Sequence, residues 1–292
     1  MKIILFSRRG LAFRAEELVL LREAIADFDF DFAVNEEFAA ILNEQIGWNI
    51  PAEQQYGSTI DIEDAEATLV CYGGDGTLLE GVHRLGNNRI PVVGINAGHL
   101  GFLSSDSRKG IKRLFTALYE GTLRFEERSL IEVCGDLPEG LDTALALNEF
   151  SIQRNGAGML SLELFVDDQM VATNHGDGLI VATPTGSTAY SLSAGGPVVA
   201  PACACFVVTP IAPHNLTMRP VVIPDTSRIR LKIQARRSEP FLTLDNRSYA
   251  APHSCEFTLK KAERPIFLAV PHNISFYDTL RNKMMWGIDP RN

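Results

Sequence analysis

An apolar run at residues 67–71, Ala-Thr-Leu-Val-Cys, leads into Tyr72-Gly73-Gly74-Asp75-Gly76-Thr77 and then into a helical pattern at 78–85. Strand, glycine turn and helix start, in that order, make an anion site. Glycines let the backbone turn sharply and approach a ligand with no Cβ in the way. The helix start adds unpaired N–H groups and a partial positive charge that suit a phosphate. The acid in the middle is unusual, because Asp75 beside a polyphosphate costs repulsion. Accepting a proton from a hydroxyl that attacks phosphorus is a role that offsets it. An ordinary turn with a solvated Asp75 uses the same residues, so the remainder of the chain has to decide.

At 292 residues the chain is long for one core and suits two modest domains. Its formal net charge of −9 disfavours a nucleic-acid partner. No apolar stretch approaches membrane-spanning length, and the apolar run after Lys2 is too short for a signal peptide. The five cysteines contain no CxxC pair, and Cys203 and Cys205 are spaced poorly for zinc. They read as reduced, buried thiols of a cytoplasmic protein.

The pattern changes near residue 125. Before it, strands at 2–7, 30–34, 69–71 and 91–96 alternate with helices at 14–28, 36–46, 78–85 and 109–120. Leu18, Leu21, Ala24 and Ile25 mark one helix by their spacing. Such alternation predicts an open, mostly parallel sheet covered by helices. After it, short strands follow one another at 130–133, 145–153, 160–166, 170–173, 179–182, 229–233, 241–244, 257–259 and 266–270. Turn residues such as Gly156, Asp167-Asp168 and Asp245-Asn246 separate them, which predicts a β-sandwich-like domain. Residues 275–286 read as a terminal helix packing back on the first domain. The expected division is therefore 1–125, 126–270 and 271–292.

A second polar segment lies in the β-rich half. His175-Gly176-Asp177-Gly178 precedes an apolar run at 179–182, and Thr183-Pro184-Thr185-Gly186-Ser187-Thr188-Ala189-Tyr190-Ser191-Leu192-Ser193 follows it. Small hydroxyl residues around glycines supply many donors with little bulk. Tyr190 adds a flat ring able to stack on a base or line a ribose. The segment lacks the glycines of a G-x-S-x-G elbow. Residues 189–194 read as a helix start that faces a ligand. Asn148-Glu149 stand before the apolar strand 150–152, and together they can accept from and donate to neighbouring hydroxyls. Among the histidines His175 suits a ligand contact, whereas His99 and His214 suit structural hydrogen bonds. Asp61, Glu63, Asp64 and Glu66 read as a solvated connector.

These motifs together resemble the ATP-dependent NAD kinase family of bacterial type. The resemblance rests on Gly73-Gly74-Asp75-Gly76-Thr77, Gly94-Ile95-Asn96 with 98–103, Asn148-Glu149, the segment 177–197, the segment from Thr209-Pro210-Ile211 to Arg219-Pro220, and Asp278-Thr279-Leu280-Arg281-Asn282-Lys283. It implies a Rossmann-like N-terminal α/β domain and an all-β C-terminal domain, with the active site between them. It implies transfer of the ATP γ-phosphoryl to the adenosine-ribose 2′-hydroxyl of NAD, giving NADP, with Mg²⁺ or another divalent cation. By the same resemblance Asp75 is the base, and Gly73, Gly74, Gly76 and Thr77 hold phosphate. NAD would be contacted by Asp75, Gly76, Asn148, Glu149, His175, Asp177, Thr185, Thr188, Ala189, Tyr190, Ser191, Leu192, Ser193 and Arg247. Metal ligands are not indicated, and a homo-dimer or homo-tetramer is implied. The turn Asp245-Asn246-Arg247 departs from the family's usual Asp-Gly-Gln. Two other readings stand beside this one: a related kinase with the same glycine turn acting on another hydroxyl substrate, and a non-catalytic dinucleotide sensor.

Overall fold

The structure is a computed structural model. It describes all residues except 59, 61–65, 87, 97–101, 104–107, 142–143, 236, 238, 273–274 and 288–292, together with the side chains of 108–109. Asp61, Glu63, Asp64 and His99 therefore lie outside the described residues.

The chain forms two compact units, residues 1–127 with 266–292, and residues 128–265. The first contains β1 (Lys2–Phe6), α1 (Ala15–Asp27), β2 (Asp31–Asn35), α2 (Glu36–Ile46), β3 (Gln55–Tyr56), β4 (Ala67–Tyr72), α3 (Asp75–Leu85), β5 (Val92–Ile95), α4 (Arg108–Tyr119) and β6 (Arg124–Arg128). One sheet runs in the order β3-β2-β1-β4-β5, continued by β19 (Ile266–Val270) and β6. The pairings β3–β2, β2–β1, β1–β4, β4–β5 and β5–β19 are all parallel. A sequence boundary at 270 places 266–270 with the β-rich half. Its strand instead lies beside β5, because a parallel neighbour can arrive from anywhere in the chain.

Local chemistry explains the helices. Leu18, Leu21, Ala24 and Ile25 of α1 are buried, as their spacing requires. Asn35 caps α2, its Oδ1 accepting the N–H groups of Glu37 at 3.2 Å and Phe38 at 3.4 Å. The terminal helix α6 (Phe276–Met284) opens on a capping box between Ser275 and Asp278. No described helix is long and apolar enough to cross a membrane.

The second unit contains β7 (Ile131–Gly135), β8 (Leu145–Ala146), β9 (Glu149–Asn155), β10 (Leu160–Val166), β11 (Gln169–Gly176), β12 (Gly178–Ala182), the single-turn helix α5 (Tyr190–Ser193), β13 (Cys205–Ile211), β14 (Val221–Pro224), β15 (Ile229–Ala235), β16 (Glu239–Leu244), β17 (Arg247–Ala250) and β18 (Ser254–Lys261). They form two six-stranded sheets, β11-β10-β15-β18-β7-β8 and β14-β13-β12-β9-β16-β17. Among the described residues every pairing in them is antiparallel. Alternate residues point inward, for example Leu160, Leu162 and Leu164 against Ile229, Leu231 and Ile233. These join Phe150, Ile152, Phe206 and Phe257 in one core between the sheets.

The expected single strand at 145–153 is two strands, broken at Leu147-Asn148. The cysteines are all free, but Cys134 and Cys203 are exposed rather than buried. Cys134 follows inward-facing Val133 in β7, so the two-residue period turns it outward.

Phe257 is fully buried, with its ring 5.5 Å from that of Phe150. Phe257→Ala removes that contact and leaves a cavity, a loss of about 3–5 kcal/mol. Denaturant titration of the variant is expected to show a lower midpoint with an unchanged slope.

Candidate active site

In the first unit the glycine motif is not a loop ahead of the helix. Asp75 is already the first residue of α3, and Gly74 is its N-cap without a capping side chain. The N–H of Gly73 donates to the Ile95 carbonyl at 2.8 Å, which ties the turn to β5. A Cβ on Gly73 would stand 2.3 Å from Thr77 Oγ1, so only glycine allows β4 to approach α3 this closely. Thr77 Oγ1 is buried and has no hydrogen-bond partner among the described residues. The N–H groups of Gly74 and Gly76 likewise have no acceptor there.

The Asp75 carboxylate is held from three sides. Oδ2 accepts the N–H of Phe102 at 2.9 Å, and Oδ1 that of Leu103 at 3.1 Å. Lys283 Nζ of α6 lies 3.6 Å from Oδ2 and 4.5 Å from the Phe102 ring centroid. Sequence reasoning placed Lys283 in the closing motif without a role. Its position in the last turn of α6, one helical turn after Leu280, which is buried, was the available signal.

In the second unit, β9 and β12 pair antiparallel, with Ala182 opposite Glu149 and Gly178 opposite Gln153. Asn148, Glu149 and the segment from Thr183 meet at one end of this pair. Thr183 Oγ1 donates to the Leu147 carbonyl at 2.6 Å, and its N–H to the Asn148 carbonyl at 2.8 Å. A Cβ on Gly186 would lie 2.0 Å from the Asn148 carbonyl oxygen, which accounts for that glycine. Thr185 is buried and lies 3.4 Å from the Arg128 guanidinium. Ser187 Oγ sits 2.7 Å from the Pro184 carbonyl and 3.0 Å from the Val199 N–H, so it shapes the loop from inside. Ser191 is buried against Thr209 Oγ1 at 2.9 Å, while Thr188, Ala189 and Leu192 are half-buried and Ser193 is exposed. The expected helix at 189–194 is only one turn long.

Asp177 and His175 occupy the opposite end, Asp177 being five positions from Ala182, roughly 17 Å at about 3.3 Å per residue. His175 is exposed, and its carbonyl accepts the His214 N–H at 2.7 Å. Asp177 is engaged by Arg154, Nε to Oδ1 at 2.6 Å and Nη2 to Oδ2 at 3.2 Å. Tyr190 bridges the two ends. Its backbone N–H is near enough to the Glu149 carboxylate to oppose the rise in that group's pKa, and its hydroxyl reaches Gln153 Oε1 at 2.9 Å.

The organiser of the Glu149 end was missed in the sequence. Asp245 adopts a left-handed φ of 53° in the β16–β17 turn, rather than Asn246. Its carboxylate accepts the N–H groups of Leu147, Asn148 and Glu149 at 2.9, 2.7 and 3.2 Å. An acid in a two-residue turn was the signal, since Asp readily bonds backbone N–H groups. Arg247 donates to the Leu145 carbonyl at 2.6 Å. Burial pushes the Asp245 carboxyl up, against the pull of these N–H groups and Arg247. Burial, then the Asp245 charge, pushes Glu149 up from 4.5 to about 8. Glu149 Oε2 is buried with no hydrogen-bond partner among the described residues.

Comparison with known proteins agrees with both halves of this arrangement. Residues 8–123 match the ATP-NAD kinase N-terminal domain, and residues 147–285 match the ATP-NAD kinase C-terminal domain. The chain belongs to the ATP-NAD kinase family. An NAD kinase of Bacteroides fragilis is 34% identical over 293 residues, all of both chains. One from Porphyromonas gingivalis is 44% identical over 220 residues, 75% of this chain and 76% of the relative. Among solved structures, yeast NADH kinase complexed with NADH has a TM-score of 0.82 at 25% identity, covering 99% of this chain and 88% of that one. An NAD kinase from Archaeoglobus fulgidus in complex with ATP has a TM-score of 0.72 at 25% identity, covering 98% of each. The two-domain kinase fold and the phosphotransferase class expected from the sequence are thereby shown.

The raised Glu149 pKa sets a sign for stability. The folded protein keeps a proton that the unfolded chain gives up above about 4.5. Stability therefore falls as pH rises from 4.5 towards 8, by about 1.4 kcal/mol per pH unit from this group. Glu149→Gln abolishes that slope. Its stability gain over the parent, read by denaturant titration, is expected to grow between pH 5 and pH 8.

Proposed function

We propose that this protein transfers the γ-phosphoryl group of ATP to the 2′-hydroxyl of the adenosine ribose of NAD, giving NADP and ADP. The observation that carries the reading is the Asp75 carboxylate at the first residue of α3, beside Gly74 and Gly76 N–H groups that have no acceptor among the described residues, in a chain of the ATP-NAD kinase family.

In this reaction the ribose O2′–P bond forms as the bond from the γ-phosphorus to the bridging oxygen breaks. ADP leaves with the electron pair, and the hydroxyl proton passes to Asp75. An ionised carboxylate has about four acceptor sites, and two of those on Asp75 take the Phe102 and Leu103 N–H groups. A carboxylate is a weak base toward a ribose hydroxyl, so Asp75 takes the proton late and mainly orients the attacking oxygen. Gly74 and Gly76 hold the phosphates through their N–H groups and Thr77 through its hydroxyl, while Gly73, whose N–H bonds the Ile95 carbonyl, lets the turn come close to them.

The second unit binds NAD in this reading. The unsatisfied Glu149 Oε2 supports it, since a buried oxygen without a donor costs about 1–3 kcal/mol that a ligand hydroxyl would relieve. Asn148 adds an amide beside it, and Tyr190 offers its ring along β9. Asp177 and His175 take the far half of the dinucleotide, with Thr185, Thr188, Ala189, Ser191, Leu192 and Ser193 forming the loop. Arg247 supports the Asn148–Glu149 end.

Among the described residues no three His, Cys, Asp or Glu side chains are grouped to hold a metal. Mg²⁺ would be carried on the ATP phosphates, and Asp75 is the carboxylate of the glycine turn that could help to hold it. When bound, the cation neutralises phosphate charge. A cytoplasmic location accords with the five free thiols. Assembly as a homo-dimer or homo-tetramer completes the proposal, and sedimentation would count the subunits.

NADP formation from NAD and ATP, followed by a coupled dehydrogenase, tests the reaction. Asp75→Asn keeps the size of the side chain and removes the base. Its kcat is expected to fall about 10²-fold or more, with the KM for NAD little changed. Near-normal turnover of that variant would remove Asp75 from the mechanism. Excess EDTA is expected to stop turnover, and added Mg²⁺ to restore it.

A further inference from the structure

The sheet order β3-β2-β1-β4-β5 reverses direction between β1 and β4. In open parallel sheets the crevice at such a reversal, beyond the carboxyl ends of the strands, is where ligands bind. The glycine turn leaves β4 there, and Ser7-Arg8 leave β1. Ser7 Oγ donates to the Tyr72 carbonyl at 2.6 Å, locking the two strand ends together. Arg8 is thereby carried over the turn. A Cβ on Gly76 would stand 3.3 Å from Arg8 Nη2 and 3.4 Å from Nη1, so the guanidinium lies against the first turn of α3.

Arg8 is half-buried, and no carboxylate or carbonyl among the described residues accepts from it. Its neighbour Arg9 is exposed and pairs with Glu37 at 3.8 Å. In a chain of net charge −9, a guanidinium without an acidic partner is conspicuous. It sits beside the open Gly74 and Gly76 N–H groups and the buried Thr77 hydroxyl that has no partner. All of these are donors, and they converge on one corner. Only an anion with several oxygens satisfies them at once, and a planar guanidinium matches two phosphate oxygens.

We propose that Arg8 clamps the polyphosphate of the donor nucleotide over the Gly73–Thr77 turn. This rests on the proposed phosphotransfer and adds to it a cation from β1 that neutralises the donor's charge, whose alignment Asp75 would otherwise oppose. Arg8 holds the donor and takes no proton. Its loss therefore weakens donor binding more than acceptor binding.

Steady-state kinetics of Arg8→Gln and Arg8→Lys test this, with inorganic tripolyphosphate as a competitor of ATP. A charge-assisted hydrogen bond corresponds to about a tenfold to hundredfold change in affinity. Arg8→Gln is expected to raise the KM for ATP and the Ki of tripolyphosphate by such a factor. The KM for NAD and the melting temperature should stay close to the parent's, and Arg8→Lys should recover part of the loss. The salt dependence of tripolyphosphate inhibition should also flatten in Arg8→Gln. Unchanged ATP and tripolyphosphate affinities, or equal losses for ATP and NAD, would overturn the assignment. Calorimetric titration of parent and Arg8→Gln with tripolyphosphate reads the contact directly. It separates failure of the Arg8 assignment from failure of the NADP-forming reaction, which is judged on the parent alone.

Discussion

The distance between β4 and the first turn of α3 governs the first unit's chemistry. Thr77 Oγ1 occupies the volume that a side chain on Gly73 would need. Because that volume is filled by a hydroxyl, α3 begins immediately after β4, at Asp75. A longer turn would carry the helix N-terminus away from the sheet edge and with it the free Gly74 and Gly76 N–H groups. The same closeness puts the Asp75 carboxylate within reach of two N–H groups, those of Phe102 and Leu103. A conformationally fixed carboxylate loses little entropy when it meets a substrate, which is how a weak base contributes by position.

The second unit solves a similar problem with a buried acid. The chain passes from β8 in one sheet to β9 in the other at Leu147-Asn148, and such a passage leaves backbone N–H groups without ladder partners. Asp245 supplies an acceptor for three of them from the β16–β17 turn. The arrangement costs burial of a charge, and it sets a negative neighbour near Glu149. Burial, with the Asp245 charge added to it, makes Glu149 hold its proton to about pH 8. A neutral carboxyl can both donate and accept, whereas an ionised one only accepts. The backbone repair at Asp245 thus alters what Glu149 can offer a bound hydroxyl.

How much of this was legible depended on how local the cause was. The alternation up to Glu120 and the sandwich beyond it follow from hydrophobic period and turn residues, which are local. The glycine motif and the Thr183–Ser193 segment were legible because small residues and hydroxyls cluster in sequence. Lys283 beside Asp75 was not, because 208 residues separate them and only the fold brings α6 to the turn. The same holds for β19, whose apolar run suits a sandwich strand and a parallel strand equally. Asp245 was read as a turn residue, since its three N–H partners lie nearly a hundred positions earlier. Cys134 was misjudged because burial in a strand end depends on which face is covered, and composition does not record faces.

The chain binds polyanions, on this reading, while carrying a net charge of −9. A protein of that charge repels ATP at long range, although a Debye length of about 8 Å at physiological salt confines the repulsion to the approach. Binding must then come from contacts shorter than that length. Backbone N–H groups at a helix start are suited to this, because their partial charge is fixed and does not titrate. Side-chain cations add to it only where no acid takes them first. Arg9 with Glu37, Arg84 with Glu80 and Arg154 with Asp177 have acidic partners. The anion site is therefore marked less by the number of basic residues near it than by the absence, among the described residues, of carboxylates bonded to those donors.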